Sequence, residues 1–360
     1  MSKVLIAMSG GVDSSVAAAL LKDQGYTCLG STLRLFENSD IGQDNDKSCC
    51  SLTDTEYARS VAASMGMPYY VFNQVDRFRQ TVIKDFIDNY ACGRTPNPCI
   101  ICNRELKFGV LYERAMLLGC NHIATGHYAR VSFDAETGRF LLKKAVDKAK
   151  DQSYVLYFLT QEQLSHTLFP LGELTKPEVR AIAAEKGFHN AQKPDSQDIC
   201  FVPDGNYTDF ICRNTQKTFE DGDFVDSDGN VLGRHHGIIN YTVGQRKGLG
   251  ISAEAPLYVK RIDRDNNTVI LGRANEMFSK TCRVENVNWI SGLVPEAPVQ
   301  CKVRIRYHHP EQPATVTALS DNEAEVTFDE PVRAITPGQA AVFYDGETVL
   351  GGGTISFSGD

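Results

Sequence analysis

The sequence predicts an α/β protein in three parts: an N-terminal domain built on a parallel sheet, a small β-rich central domain and a C-terminal β-barrel domain. Three observations carry this expectation. Over the first 200 residues, strand-like and helix-like segments alternate, as they do where crossover helices cover a parallel sheet. Past about residue 215 the segments become short, β-branched and punctuated by turns such as Asp228-Gly229-Asn230, Asp265-Asn266-Asn267 and Ser320-Asp321-Asn322, the pattern of antiparallel β structure. The length of 360 residues suits two or three domains. The expected divisions are 1–214, 215–279 and 280–360.

Taken in order, residues 3–8 form a β-rich run and 14–24 a helix stopped by Gly25. A second strand covers 27–33. Helical spacing runs over 53–65 and ends at Gly66-Met67-Pro68; a strand follows over 69–73. Residues 77–90 and 104–118 read as amphipathic helices, the second ended by Gly119. Residues 122–125 and 140–143 are strand-like, and 161–169 and 176–186 add two helices.

The apolar runs, such as 4–8 and 17–21, are too short to span a bilayer, and the start has no signal-peptide shape. A cytoplasmic location without membrane contact is expected. The 11 cysteines then read as thiols, catalytic groups or metal ligands rather than a disulfide framework. The formal charge of -8 argues at first against a nucleic-acid partner. Its distribution changes that: residues 1–200 hold 22 basic and 23 acidic side chains, and 201–360 hold 15 and 22. Basic groups near 94–107, 143–150 and 302–306 are left as separate patches, suited to a localised, salt-sensitive RNA footprint.

The strongest local motif is Ser9-Gly10-Gly11-Val12-Asp13-Ser14-Ser15, after Ala7-Met8 at a strand end and opening a helix. Two glycines allow a tight turn and a close approach to an anion. The helix N-terminus offers that anion unpaired amides, and the hydroxyls of Ser9, Ser14 and Ser15 can add hydrogen bonds. Asp13 suits Mg²⁺ rather than phosphate. The Gly-Lys-Ser/Thr end of a Walker A loop is missing. The motif instead resembles the PP-loop of the ATP pyrophosphatases. That resemblance implies ATP with Mg²⁺, an adenylated substrate and release of pyrophosphate. It places Ala7, Met8, Ser9, Gly10, Gly11, Val12, Asp13 and Ser14 at ATP, with Leu33 and Gly126 beside the adenosine.

The segment Asn97-Pro98-Cys99-Ile100-Ile101-Cys102-Asn103 precedes the helix expected over 104–118, which puts Cys102 beside a helix N-terminus with Arg104 and Lys107 nearby. Such a setting lowers a thiol pKa. A further cysteine, Cys200, follows Asp195-Ser196-Gln197-Asp198-Ile199. Together with 126–130, 150–154, 241–250 and Arg306-Tyr307, these segments resemble the bacterial tRNA-specific 2-thiouridylases nearly end to end. The resemblance implies that ATP adenylates C2 of the wobble uridine, position 34, in tRNAs for Lys, Glu and Gln. It makes Cys200 the persulfide carrier and Cys102 the nucleophile that closes a transient disulfide with it. It assigns Asn97, Pro98 and Cys99 to the target base, and Lys150, Asp151, Gln152, Arg306 and Tyr307 to the tRNA anticodon arm. A cysteine desulfurase or sulfur-relay protein is the implied sulfur donor.

One departure stands out: well-known members carry an aspartate where this chain has Cys99, so no carboxylate role is carried over. Cys99, Cys102 and Cys200 could instead hold an iron–sulfur cluster, and C-x-x-C spacing alone does not separate these readings. Buried, inert thiols are the structural alternative. Cys49-Cys50 reads as non-catalytic, and His127 as a hydrogen-bonded structural residue. His235-His236 and His308-His309 read as solvated or RNA-facing. Lys302, Arg304 and Arg306 alternate along a strand and so share a face where phosphates could sit, leaving Tyr307, unless the strand ends there, on the other face, where it could stack on a base. Two other classes stay open: a small-molecule ligase with the same ATP loop, and a non-catalytic RNA-binding protein.

Overall fold

A computed structural model of the chain describes residues 2–42, 52–193 and 199–356. Cys49-Cys50 and 195–198 lie outside the described residues. The first sheet holds β1 (Lys3–Ala7), β2 (Thr27–Arg34), β3 (Tyr69–Asn73) and β4 (His122–Thr125). Val4, Leu5 and Ile6 of β1 are wholly buried because β1 lies between β2 and β4, in parallel with both, and helices cover the faces. Each such side chain contributes roughly 1.5–3 kcal/mol of burial. β1 and β4 end together at Ala7 and Thr125, with Ser31 of β2 beside Ala7, so the loop after β1 emerges at the carboxyl edge of the sheet, where open α/β sheets bind ligands.

Two strands next in the chain depart from the sequence expectation. β5 (Ala129–Asp134) and β6 (Arg139–Lys144) form an antiparallel hairpin that joins the C-terminal sheet, not the parallel one. The helix expected over 161–169 stops at Ser165. Thr167–Leu168 then forms the short β7, parallel to β4, completing the order β3-β2-β1-β4-β7. Backbone pairing along a sheet edge overrides helical periodicity there.

Both long helices beside the sheet contain π segments. The first runs through Val75–Phe78, a π stretch over Arg79–Ile83 and Lys84–Ala91. The second begins at Pro98–Cys102, continues as π over Asn103–Leu111 and ends with Tyr112–Leu117. It therefore starts six residues before the expected position. Asn97 caps it by accepting the Cys99 N–H at 3.2 Å, and Pro98 occupies the first turn, where its missing donor costs nothing.

The central domain pairs β8 (Gly222–Val225), β9 (Val231–His235), β10 (Tyr258–Asp263) and β11 (Thr268–Gly272) in the order β10-β11-β8-β9. It is mixed rather than antiparallel, since β11 and β8 run parallel. The last strands are β12 (Phe278–Trp289), β13 (Val299–Arg304), β14 (Gln312–Ala318), β15 (Glu323–Arg333), β16 (Ala340–Asp345) and β17 (Thr348–Ile355). The pairing of β12 with β17 closes these six into a barrel, filled by Val284, Val303, Ile305, Val326, Phe328 and Phe343. Closure removes the exposed edges.

Candidate active site

The loop after β1 is shaped by what surrounds it. Gly10 has φ +75°, and a Cβ there would lie 2.3 Å from the Asp54 carbonyl oxygen, so only glycine fits. Asn190 braces the loop from behind, donating to the Gly10 carbonyl and to Ser15 Oγ, both at 3.0 Å. The helix Val12–Asp23 starts at Gly11 with no side chain capping its first amides, which leaves them for an anion. The serines divide. Ser14 and Ser15 donate to the Gly11 carbonyl at 3.1 and 3.0 Å, whereas Ser9 is exposed. Gly126 abuts the first turn; a Cβ there would meet Ser14 N at 2.8 Å. Leu33 packs against two of the three apolar clusters beside the sheet.

Asp13 is held from two sides. The Lys176 ammonium donates to its two oxygens at 2.7 and 2.9 Å, and the Tyr128 hydroxyl donates at 2.9 Å. Neither partner is apparent from the sequence motif.

The cysteine helix corrects one expectation. Cys102 closes the first segment of a continuing helix instead of standing at an N-terminus, so the helix dipole gives it no help. Burial pushes its thiol up to about 11, against the pull of Lys107, and Cys99 adds to the rise. Arg104 is spent on an ion pair with Glu105 at 3.1 Å. Cys99 keeps contact with solvent, yet the surrounding protein desolvates its thiol and raises it as well, with Lys107 opposing. Cys102 and Cys200 are both half-buried and not disulfide-bonded to each other. They pack against the same apolar cluster, which contains Leu106, Phe201 and Phe210 and also receives Leu33.

The turn before this helix is clamped by the other two domains. Thr95 donates its N–H to the Pro337 carbonyl at 2.8 Å, and Gln339 Nε2 donates to the Thr95 carbonyl at 2.8 Å. The Thr95 hydroxyl meets that of Thr242 at 3.3 Å. Gly338 comes so close that a Cβ would lie 2.9 Å from Thr95 N. Arg306 ties the same junction, donating to the Val243 carbonyl at 2.9 Å, to Ala334 at 3.2 Å and to the Thr336 hydroxyl.

The expected phosphate-binding face of Lys302, Arg304 and Arg306 therefore does not form. β13 ends at Arg304, which pairs with Glu311 at 2.9 Å and Asp151 at 3.4 Å; only Lys302 stays exposed. Asp151 is buried and accepts from the Ser153 hydroxyl at 2.9 Å. Lys150 and Gln152 flank it at partly exposed positions. Tyr307 is half-buried against Tyr154 with ring centroids 5.9 Å apart. Burial first, then Asp151 and Cys99, push its hydroxyl up to about 12, with Arg304 opposing. Tyr307 thus shares the neighbourhood of the cysteine helix.

His127 is buried, with Nδ1 2.7 Å from the Thr125 hydroxyl, and burial holds it well below the usual imidazole range; it is a neutral structural residue. His235 overturns its solvated assignment. It is wholly buried, packed edge-on to Phe224 and Tyr241. Among the described residues no group of three His, Cys, Asp or Glu side chains could hold a metal ion, so Cys99, Cys102 and Cys200 are not assembled as cluster ligands. No described helix is long and apolar enough to cross a membrane. Sequence reasoning missed Tyr128, Lys176, Asn190 and Gln339. The first sits inside the segment 126–130 that carried part of the resemblance, and the others lie far from any motif.

Comparisons with known proteins agree with this architecture. The pattern described as tRNA methyl transferase HUP domain matches residues 2–204. A tRNA methyl transferase PRC-barrel domain matches 208–273, and an aminomethyltransferase beta-barrel domain matches 279–355. The chain is 52% identical over 354 residues to the tRNA-specific 2-thiouridylase MnmA of Acetivibrio thermocellus, covering 98% of this chain and 99% of that one. It is 50% identical to the protein of the same name from Halothermothrix orenii, with 99% of each chain covered. The Roseiflexus castenholzii protein is 48% identical over 370 residues. Identity of this depth across nearly the whole of both chains shows that this chain belongs to the tRNA-specific 2-thiouridylase family.

Proposed function

We propose that the protein is a tRNA-uridine 2-sulfurtransferase that makes 2-thiouridine at the wobble position of tRNAs for Lys, Glu and Gln. The observation that carries this reading is the convergence of Leu33, Cys102 and Cys200 on one apolar cluster beside the sheet whose carboxyl edge bears the phosphate loop. A target base bound at Asn97, Pro98 and Cys99 would then lie between ATP and the two thiols, having left its stack to reach them.

The uridine C2 oxygen attacks the α-phosphorus of ATP, and pyrophosphate leaves into the amides of Gly10, Gly11 and Val12. The terminal sulfur of a Cys200 persulfide adds to C2. Cys102 gives up its thiol proton to solvent and its sulfur attacks Cys200 Sγ, closing the Cys102–Cys200 disulfide; the released electron pair forms the C2 thiocarbonyl and expels AMP. Two external thiols then reduce the disulfide, leaving as a disulfide of their own, and a cysteine desulfurase or sulfur-relay protein reloads Cys200. A Cys102 thiol near 11 rests protonated, which prevents it from discharging the persulfide before C2 is activated.

A magnesium ion held mainly by ATP phosphates needs only one or two protein carboxylates. Asp13 fits that need where Lys176 yields one of its oxygens, and the ion would neutralise phosphate charge. In this reading 1–214 carries the chemistry, 215–279 links, and 280–360 holds the anticodon arm. Asp151 serves the tRNA by fixing Lys150 and Gln152 on either side of it, while Arg306 and Tyr307 frame the base site. Cys200→Ala and Cys102→Ala test the scheme. Each should abolish thiolation while ATP and tRNA still bind; normal turnover by either variant would refute the persulfide route.

A further inference from the structure

We infer that the Asp13 carboxylate couples nucleotide at the phosphate loop to RNA at the loop 147–152. The inference rests on the function proposed above.

Two side chains grip Asp13, and each is tied to one end of the same loop. Tyr128, whose hydroxyl donates to Asp13 at 2.9 Å, is joined through its backbone to Gln152. Its N–H donates to the Gln152 side-chain oxygen at 3.0 Å, and its carbonyl accepts the Gln152 N–H at 2.8 Å. Lys176, whose ammonium spans both Asp13 oxygens, donates its backbone N–H to Asp147 Oδ2 at 2.9 Å. The loop between these anchors is a tight turn. Asp147 Oδ1 accepts from Ala149 N–H at 3.0 Å, and the Asp147 carbonyl accepts from Lys150 N–H at 3.1 Å. It presents Lys148 to solvent.

A carboxylate two residues beyond Gly11, the end of the phosphate turn, is therefore held by the two groups that hold both ends of a loop carrying Lys148 and Lys150 between Asp147 and Asp151. Charge-assisted hydrogen bonds of this kind are about twice as strong as neutral ones. The Lys176 side chain is 9% exposed and that of Asp13 32%, so water reaches the carboxylate more than the ammonium. An anion or cation arriving at the phosphate loop competes for Asp13 and Lys176, and that competition acts on both anchors. RNA phosphates that shift the loop act on the same bonds in reverse. Such coupling must be reciprocal in the two affinities.

The test measures the Kd of a non-hydrolysable ATP analogue with and without an unmodified tRNA transcript. In the wild-type protein, tRNA should change the analogue's affinity by at least about fivefold, the lower end of ordinary coupling. The analogue should change tRNA affinity by the same factor. Tyr128→Phe removes one hydroxyl and Asp147→Ala removes the other anchor. Each should cut the factor at least about threefold, toward one, so the result survives if one variant fails to fold. Tyr112→Phe, which loses only a surface contact to Glu162, should keep the wild-type factor. A factor of one in the wild type, or an undiminished factor in the folded anchor variants, overturns the inference alone. Failure of the wild-type protein to bind either ligand overturns the proposed function and the inference with it.

Discussion

The phosphate loop and the cysteine helix serve one reaction but are built in opposite ways. The loop is contiguous: residues 9–15 supply the glycines, the amides and the carboxylate. The cysteine helix takes its surroundings from remote segments, namely Thr242 of the central domain and Pro337, Gln339 and Tyr307 of the C-terminal domain. A contiguous site is specified by local chemistry. An assembled one is specified by packing, and packing reverses the local expectation for Cys102, whose thiol is raised by burial instead of lowered by a helix end.

The largest effects should come from breaking the two sites themselves. Beside the cysteine variants, Gly10→Ala should weaken ATP binding at least about tenfold, or about 1.4 kcal/mol. It needs φ +75° and places a Cβ against the Asp54 backbone. Ordinary ATP affinity in a folded Gly10→Ala protein, measured by calorimetry, would mean that the loop does not hold the nucleotide.

A pH series separates the two thiol environments. In the unfolded chain Cys102 titrates near 8.5; in the folded chain it is pushed up to about 11. Between these values the folded state keeps a proton that the unfolded state has lost, so stability falls as pH rises through that window. Chemical denaturation from pH 8 to 11 should show a decline that is shallower in Cys102→Ala. Alkylation of Cys102 should accelerate about tenfold per pH unit up to about pH 10, because only the thiolate reacts. A rate that levels off near pH 7 would restore the low-pKa thiol.

The clamp should show in stability and not in ATP binding. Gln339→Ala leaves the Thr95 carbonyl without its donor and should cost about 1–3 kcal/mol. Thr242→Val removes the long hydroxyl contact to Thr95 together with side-chain hydrogen bonds to Tyr90 and Tyr207 and should cost about 0.5–1.5 kcal/mol for each bond lost. Equal costs in thermal unfolding would show that the central and C-terminal domains grip the cysteine helix alike.

These regions also mark what the sequence discloses. The parallel sheet is legible because Val4, Leu5 and Ile6 form an apolar run that only a two-sided core explains. The phosphate loop is legible because glycines between a strand and a helix have few other uses. Arg304 and Arg306 mislead for a physical reason. Alternation places them on one face only while the strand continues, and β13 ends at Arg304. Their charges are then absorbed by Asp151, Glu311 and buried carbonyls, of which only Glu311 is near in sequence. His235 misleads for a different reason, since its burial comes from Phe224 on the paired strand β8 and from Tyr241 six residues on. The hairpin β5–β6 joins a sheet whose other strands begin over a hundred residues later, which local pattern does not encode.

The central claim is tested most directly by incubating unmodified tRNA with ATP and a sulfur donor and resolving the product on a mercury-containing gel. The account predicts an ATP-dependent retarded band with tRNAs for Lys, Glu and Gln that disappears with Cys200→Ala. No retarded band with the wild-type protein, in air and under strict anaerobic handling alike, would contradict it.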